Sequence, residues 1–214
     1  MLRAGAGASG ERVLRAAGHA SWRFHAFPQI LLLMPDAMTF SNPSDPHAVP
    51  SAPLNVLFLC THNSARSILA EALLNDMGAG RFKAYSAGSS PRPGQMPNPL
   101  GLQVLSRAGL PTEGLRSKSW DEFAGPDAPH MDLIITVCDD AAGEVCPVWP
   151  GHPATAHWGY ADPSAGDGDE AHKLEAFRQT LHLLQQRLQL LCNLPPEKLA
   201  HAMLQGSARQ LAQV

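Results

Sequence analysis

Tyrosine is almost missing from this 214-residue chain, which has only Tyr85 and Tyr160. Charge is sparse as well: 16% of residues are ionic and the net charge is −3. That balance excludes a general nucleic-acid binder, so any anion site must be local, built from a loop and one or two arginines. No apolar run reaches the ~20 residues of a membrane helix. The stretch Ile30 to Met34 is short and follows scattered Arg and His, so it reads as neither membrane span nor signal peptide. Four cysteines, Cys60, Cys138, Cys146 and Cys192, are not needed as staples in a chain this long. They are expected as thiols in a reducing cytoplasm. The ten histidines show no metal-ligand spacing with the cysteines, so no metal site is expected.

What is present falls into three parts. Residues 1–52 mix Gly, Ala, Ser and Pro with isolated aromatics and end in a Ser/Pro-rich linker. A disordered extension is expected there. Residues 53–194 alternate strand-like and helix-like runs, and residues 195–214 are expected to form a C-terminal helical tail. Leu54 to Leu59 is a near-continuous apolar run, suited to a strand buried on both faces. Ile68 to Met77 has helical spacing, Lys83 to Gly88 reads as a second strand, and Leu100 to Ala108 as a second helix. Asp132 to Cys138 is the expected third strand and Ala154 to Trp158 a short fourth. From Glu170 to Cys192, Leu174, Phe177, Leu181, Leu184, Leu188 and Leu191 recur at three- and four-residue steps. A long helix laying one stripe on a sheet follows. The alternation predicts a doubly wound α/β domain.

The chemistry concentrates in Cys60-Thr61-His62-Asn63-Ser64-Ala65-Arg66-Ser67. A cysteine leaves the end of a strand, five residues follow, and an arginine opens a helix. Five residues let the backbone curl so that its N–H groups form a nest at a helix N-terminus, a site for a tetrahedral oxyanion. Arg66 adds a planar fork for two oxygens. The same positive field is expected to depress the pKa of Cys60 and make it the nucleophile. Ser67 can donate to the thiolate. Asn63 tolerates a left-handed backbone and can tie the loop with its amide. The plainer alternative is a buried strand-end cysteine beside a surface arginine.

This loop resembles the active-site loop of the low-molecular-weight protein tyrosine phosphatase family, on its arsenate reductase branch. Collinear resemblances lie at Tyr85-Ser86-Ala87-Gly88, Thr136 to Asp140, Cys146-Pro147, His157-Trp158-Gly159 and Asp162-Pro163. The resemblance implies a four-stranded parallel sheet flanked by helices. It implies a general acid at Asp162, which serves a phosphatase and a reductase equally. In a reductase, Cys138 would be the second thiol and Cys146 the resolving one. Seven residues separate Cys138 from Cys146, one more than in thioredoxin-coupled members, so both thioredoxin and glutathione/glutaredoxin stay open as electron donors. Glu71, Ser86 and Asp121 resemble positions that bind a potassium ion in some members. The alternative is a tyrosine or small-molecule phosphatase using Cys60, Arg66 and Asp162. Against a phosphotyrosine substrate, Ser164 to Asp169 supplies no tyrosine for an aromatic wall. Arsenate, with phosphate as competitor, suits the mouth better. A non-catalytic oxyanion sensor is a third reading. Cys192 is expected to pack, and Arg92 and Arg107 to be surface charges.

Overall fold

The computed structural model describes residues 52–78, 80–138 and 149–211. The extension expected over 1–52 and the residues around Cys146 lie outside that set, Ala52 excepted. Four strands, β1 (Leu54–Cys60), β2 (Phe82–Gly88), β3 (Leu133–Thr136) and β4 (Ala154–His157), form one parallel sheet in the order β2-β1-β3-β4. Between and after them run α1 (Arg66–Met77), α2 (Pro99–Arg107), α3 (Glu170–Cys192) and α4 (Pro196–Leu211). A 3-10 turn covers Trp120–Phe123.

β1 sits inside the sheet and is apolar on both faces for that reason. Val56 and Phe58 pack into one cluster with Ile68 and Leu69 of α1, Val104 and Leu105 of α2, and the α3 stripe of Phe177, Leu181, Leu184, Leu188 and Leu191. The stripe read from the sequence is thus the buried face of α3; Leu174 is only partly buried. α4 is seated on the same cluster through Leu199, 4% exposed. Leu57 and Leu59, one residue out of phase, pack with Phe123, Met131, Ile134 and Trp149 on the other face. Among the described residues the helices gather on the first face, and the 3-10 turn and the Trp149 segment close the second.

Element ends depart slightly from expectation. β3 stops at Thr136 rather than Cys138, although the Val137 N–H still donates to the Leu59 carbonyl at 2.8 Å. α1 begins at Arg66, two residues early, so the arginine is itself the first helical residue. α3 starts where Asp169 caps it, its side chain accepting from the His172 N–H at 2.9 Å. Cys60, Gly88 and Cys138 all come to the C-terminal edge of the sheet, where parallel α/β sheets place their ligand sites.

Candidate active site

The 61–65 loop is shaped by what its carbonyls do. The Cys60 carbonyl accepts from the Ser89 N–H (3.0 Å), that of Thr61 from Ser90 (2.8 Å), and that of Ser64 from Asn98 (2.8 Å). The Asn63 carbonyl accepts from the Ser117 hydroxyl at 2.6 Å. With these acceptors tied outward to neighbouring segments, the N–H edge of the loop is turned to the concave side. Asn63 makes the turn with φ +51°, as its identity suggested. The helix that follows has Ala65 at its N-cap and no side-chain cap. Its first-turn N–H groups and positive dipole end therefore face the loop without an internal anion. β2 approaches closely enough that a Cβ on Gly88 would stand 2.7 Å from the Thr61 carbonyl oxygen.

Cys60 lies at the floor, 3% exposed. Its Sγ is 3.0 Å from Ser67 Oγ and accepts the Asn63 N–H at 3.2 Å. Burial pushes the thiol above its ordinary value, while the Ser67 hydroxyl and the Asn63 N–H pull it down. The expected depression is therefore not met. Burial is the reason, and the Arg66 guanidinium is engaged elsewhere, Nη1 donating to the Tyr160 carbonyl (2.9 Å) and Nη2 to Asp162 Oδ2 (3.0 Å). Its buried Nε–H has no hydrogen-bond partner among the described residues and is available to an oxyanion.

Asp162 is brought to the loop by the segment after β4. Burial alone would raise its pKa. Two hydrogen bonds from Ser164, to the same Oδ1, and the charges of Arg66 and His62 outweigh that and hold the carboxyl below its usual range. His62 is thus an electrostatic neighbour of the acid. His62, Ser64, Arg92, Pro97, Asp162 and Ser164 line an open cleft of about 620 Å³. Arg92, read from the sequence as a surface charge, stands on its wall; nothing local in the sequence marks it.

Cys138 follows β3 and is fully buried. Its Sγ lies 3.6 Å from Thr61 Oγ1, a sulfur–hydroxyl contact at the edge of the loop. Its charge, if formed, would raise Cys60 further, so the two sulfurs are electrostatic neighbours. Cys146 lies outside the described residues. Cys192 is partly buried against the main core, as expected of a packing residue.

The three positions compared with a potassium site do not converge. Ser86 Oγ donates to Glu71 Oε2 at 2.5 Å, but Asp121 is exposed and accepts from the Ser119 hydroxyl at 2.8 Å. The ammonium of Lys118, a residue the sequence did not single out, lies on Glu71 at 3.4 Å. These residues do not fit an alkali-metal ion.

The sheet, the strand–loop–helix nucleophile and the carboxylate after β4 define a low-molecular-weight phosphatase scaffold. A family model, low molecular weight phosphotyrosine protein phosphatase, matches residues 55–203, and the chain belongs to that family. An arsenate reductase of Bacillus licheniformis is 33% identical over 134 residues, covering 62% of this chain and 91% of the relative. The crystal structure of arsenate reductase from Archaeoglobus fulgidus is 31% identical with a TM-score of 0.51, covering 65% of this chain and 99% of that one. An arsenate reductase in its phosphate-binding state is 25% identical with a TM-score of 0.52, covering 65% and 96%.

Proposed function

We propose that the chain reduces arsenate to arsenite. Arsenate binds in the Thr61–Ser67 nest, held by loop N–H groups and Arg66. The Cys60 thiolate attacks arsenic, water leaves, and a Cys60–S–As(V) adduct forms. Asp162 supplies a proton to the departing oxygen. The Cys138 thiolate then attacks the Cys60 sulfur. The S–As bond breaks with its electron pair on arsenic, arsenite departs, and a Cys60–Cys138 disulfide remains. Cys146 attacks Cys138 and frees Cys60, leaving a Cys138–Cys146 disulfide. An external dithiol, thioredoxin or glutathione/glutaredoxin, returns the two electrons. A reducing cytoplasm is the setting that keeps this cycle running.

The observation that carries this reading is the buried Cys138 thiol at the edge of the nucleophile loop, 3.6 Å from Thr61 Oγ1. The chemistry of a phosphatase needs no second thiol there. The arsenate reductases among the relatives, one of them in a phosphate-binding state, support the substrate class. Cys60, Arg66 and Asp162, the last two paired at 3.0 Å, are equally the parts of a phosphatase, so hydrolysis of small phosphate esters on the same nucleophile is the second reading.

The test is arsenite release from the purified chain with each of the two reductant systems, beside turnover of an aryl phosphate. Cys138→Ser is expected to abolish arsenite release and to keep aryl phosphate hydrolysis. Arsenate turnover that survives loss of both Cys138 and Cys146 overturns the thiol cascade. Aryl phosphate turnover alone, with no arsenite in either system, leaves the phosphatase reading.

A further inference from the structure

Glu71 on α1 and Lys118 before the 3-10 turn form a buried ion pair behind the nucleophile loop. Their side chains are 12% and 7% exposed, and Lys118 Nζ lies 3.4 Å from Glu71 Oε2. The Lys118 ammonium also donates to the Arg116 carbonyl at 3.3 Å. Neither residue lines the cleft, and the chemistry proposed above uses neither. A paired charge held this far from water is costly unless something depends on it.

What depends on it is the direction of a hydrogen-bond chain. The Lys118 backbone N–H can only donate, and it donates to Asn63 Oδ1 at 2.8 Å. The amide nitrogen of Asn63 must therefore point the other way. It donates to Ser67 Oγ (2.9 Å) and to Ser86 Oγ (2.8 Å). Ser86, having accepted, passes its own proton to Glu71 Oε2 at 2.5 Å. That step needs an ionised carboxylate. Ser67, also an acceptor from Asn63, is left with its proton for Cys60 Sγ at 3.0 Å. Every donor then runs in one direction, and the sulfur receives two of them. A protonated Glu71 could give its proton to Ser86, whose oxygen would then accept twice and hold the Asn63 amide, and through it Ser67, less firmly.

Burial pushes the Glu71 carboxyl up toward that protonated form, and the Lys118 ammonium opposes it. Family resemblance suggested an exchangeable potassium ion for this place, and the residues do not fit one. We propose that Lys118 is a built-in cation: a positioning residue that keeps Glu71 ionised and, through Ser86, Asn63 and Ser67, keeps Cys60 receptive as a thiolate, with no dependence on potassium. The proposal rests on Cys60 as nucleophile and not on arsenate as substrate.

The test reads the sulfur itself. In the full-length chain, alkylation of Cys60 by iodoacetamide is followed by peptide mass spectrometry across a pH series. Potassium chloride is compared with choline chloride at equal ionic strength. The wild type is expected to give the same Cys60 profile in both salts. Lys118→Ala is expected to slow Cys60 alkylation about tenfold near neutral pH in choline, because the thiolate loses its support. Potassium is expected to restore part of it by entering the space beside Glu71. Arsenite release and aryl phosphate turnover, run in parallel, separate failure here from failure of the substrate assignment. A wild-type Cys60 profile that shifts with potassium overturns the proposal, and this arm stands even where Lys118→Ala does not fold. A folded Lys118→Ala chain with the wild-type profile in both salts overturns it too.

Discussion

Arg66 and Asp162 form an ion pair at 3.0 Å that joins the first turn of α1 to the segment after β4. The arginine is mostly buried and the carboxylate about a third exposed, with side-chain exposures of 10% and 32%. In this arrangement the guanidinium serves the acid and not the sulfur. An oxyanion in the nest competes with Asp162 for the same fork. As Arg66 turns to it, one of the charges that depresses Asp162 is withdrawn, and the carboxyl is better able to hold a proton. Substrate binding and acid function are thereby linked through one side chain.

Asp162→Asn tests the ground-state half of that link. The folded-state pKa of Asp162 is depressed, so the group contributes stability above the ordinary carboxylate range. That contribution is lost as pH falls through the depressed value. The loss on substitution is expected to be at most about 1 kcal/mol, because the carboxylate is partly solvated and Asn can still accept from Arg66. Urea midpoints of wild type and variant should differ near neutral pH and converge below the carboxylate range. A difference that grows on acidification contradicts the pairing.

Ser67→Ala addresses the sulfur directly. Among the influences on Cys60, the Ser67 hydrogen bond is the strongest that opposes burial. Removing it should raise the thiol further, and the acidic limb of the turnover profile should move to higher pH. Alkylation of Cys60 near neutral pH should fall about tenfold, while the fold is little changed. An unmoved profile would mean that the Asn63 N–H and the helix N-terminus suffice.

Asn63→Ala removes more than one bond. The position has φ +51°, a region that costs alanine about 1 kcal/mol. The Lys118 N–H, Ser67 and Ser86 all lose their partner at this side chain. Destabilisation of roughly 2–4 kcal/mol is expected, since buried groups are left unsatisfied. Asn63→Gly keeps the backbone without the amide. It should recover the strain component alone in thermal or urea unfolding and stay deficient in turnover.

Much of this site is local and was open to reading from the sequence. The strand Leu54–Cys60, the loop after it and the apolar stripe of α3 depend on residues within one or two turns of each other. The left-handed Asn63 belongs to the same class. What the sequence hid is long-range or depends on burial. Lys118 stands between two serines with no periodicity around it, and its partner Glu71 is 47 residues away. The direction in which Arg66 points depends on Asp162, 96 residues on, and composition carries no trace of it. The pKa of Cys60 is hidden from the sequence for a related reason. Its donors can be named from the loop, but the desolvation that outweighs them comes from the packed sheet and helices.

Gly88→Ala separates the shape of the nest from its chemistry. Gly88 ends β2, bears no reacting group and holds no charge. Its missing side chain is what lets the loop lie against the strand. An added Cβ would meet the Thr61 carbonyl oxygen at 2.7 Å and the Asn63 nitrogen and His62 carbonyl carbon each at 3.0 Å. All three are backbone atoms, so no rotamer change relieves the clash. The loop has to move by a few tenths of an ångström or more. Packing strain of this kind costs about 1–3 kcal/mol, which a domain with this core should survive. Misplacement of a prepared oxyanion site is penalised more steeply, up to about a hundredfold in rate. The expected result is a folded protein with kcat/KM for arsenate and for an aryl phosphate reduced together. Parallel loss of both activities points to the shared nest, whereas loss of arsenite release alone would place the damage at Cys138, which follows β3 on the other side of β1 from Gly88.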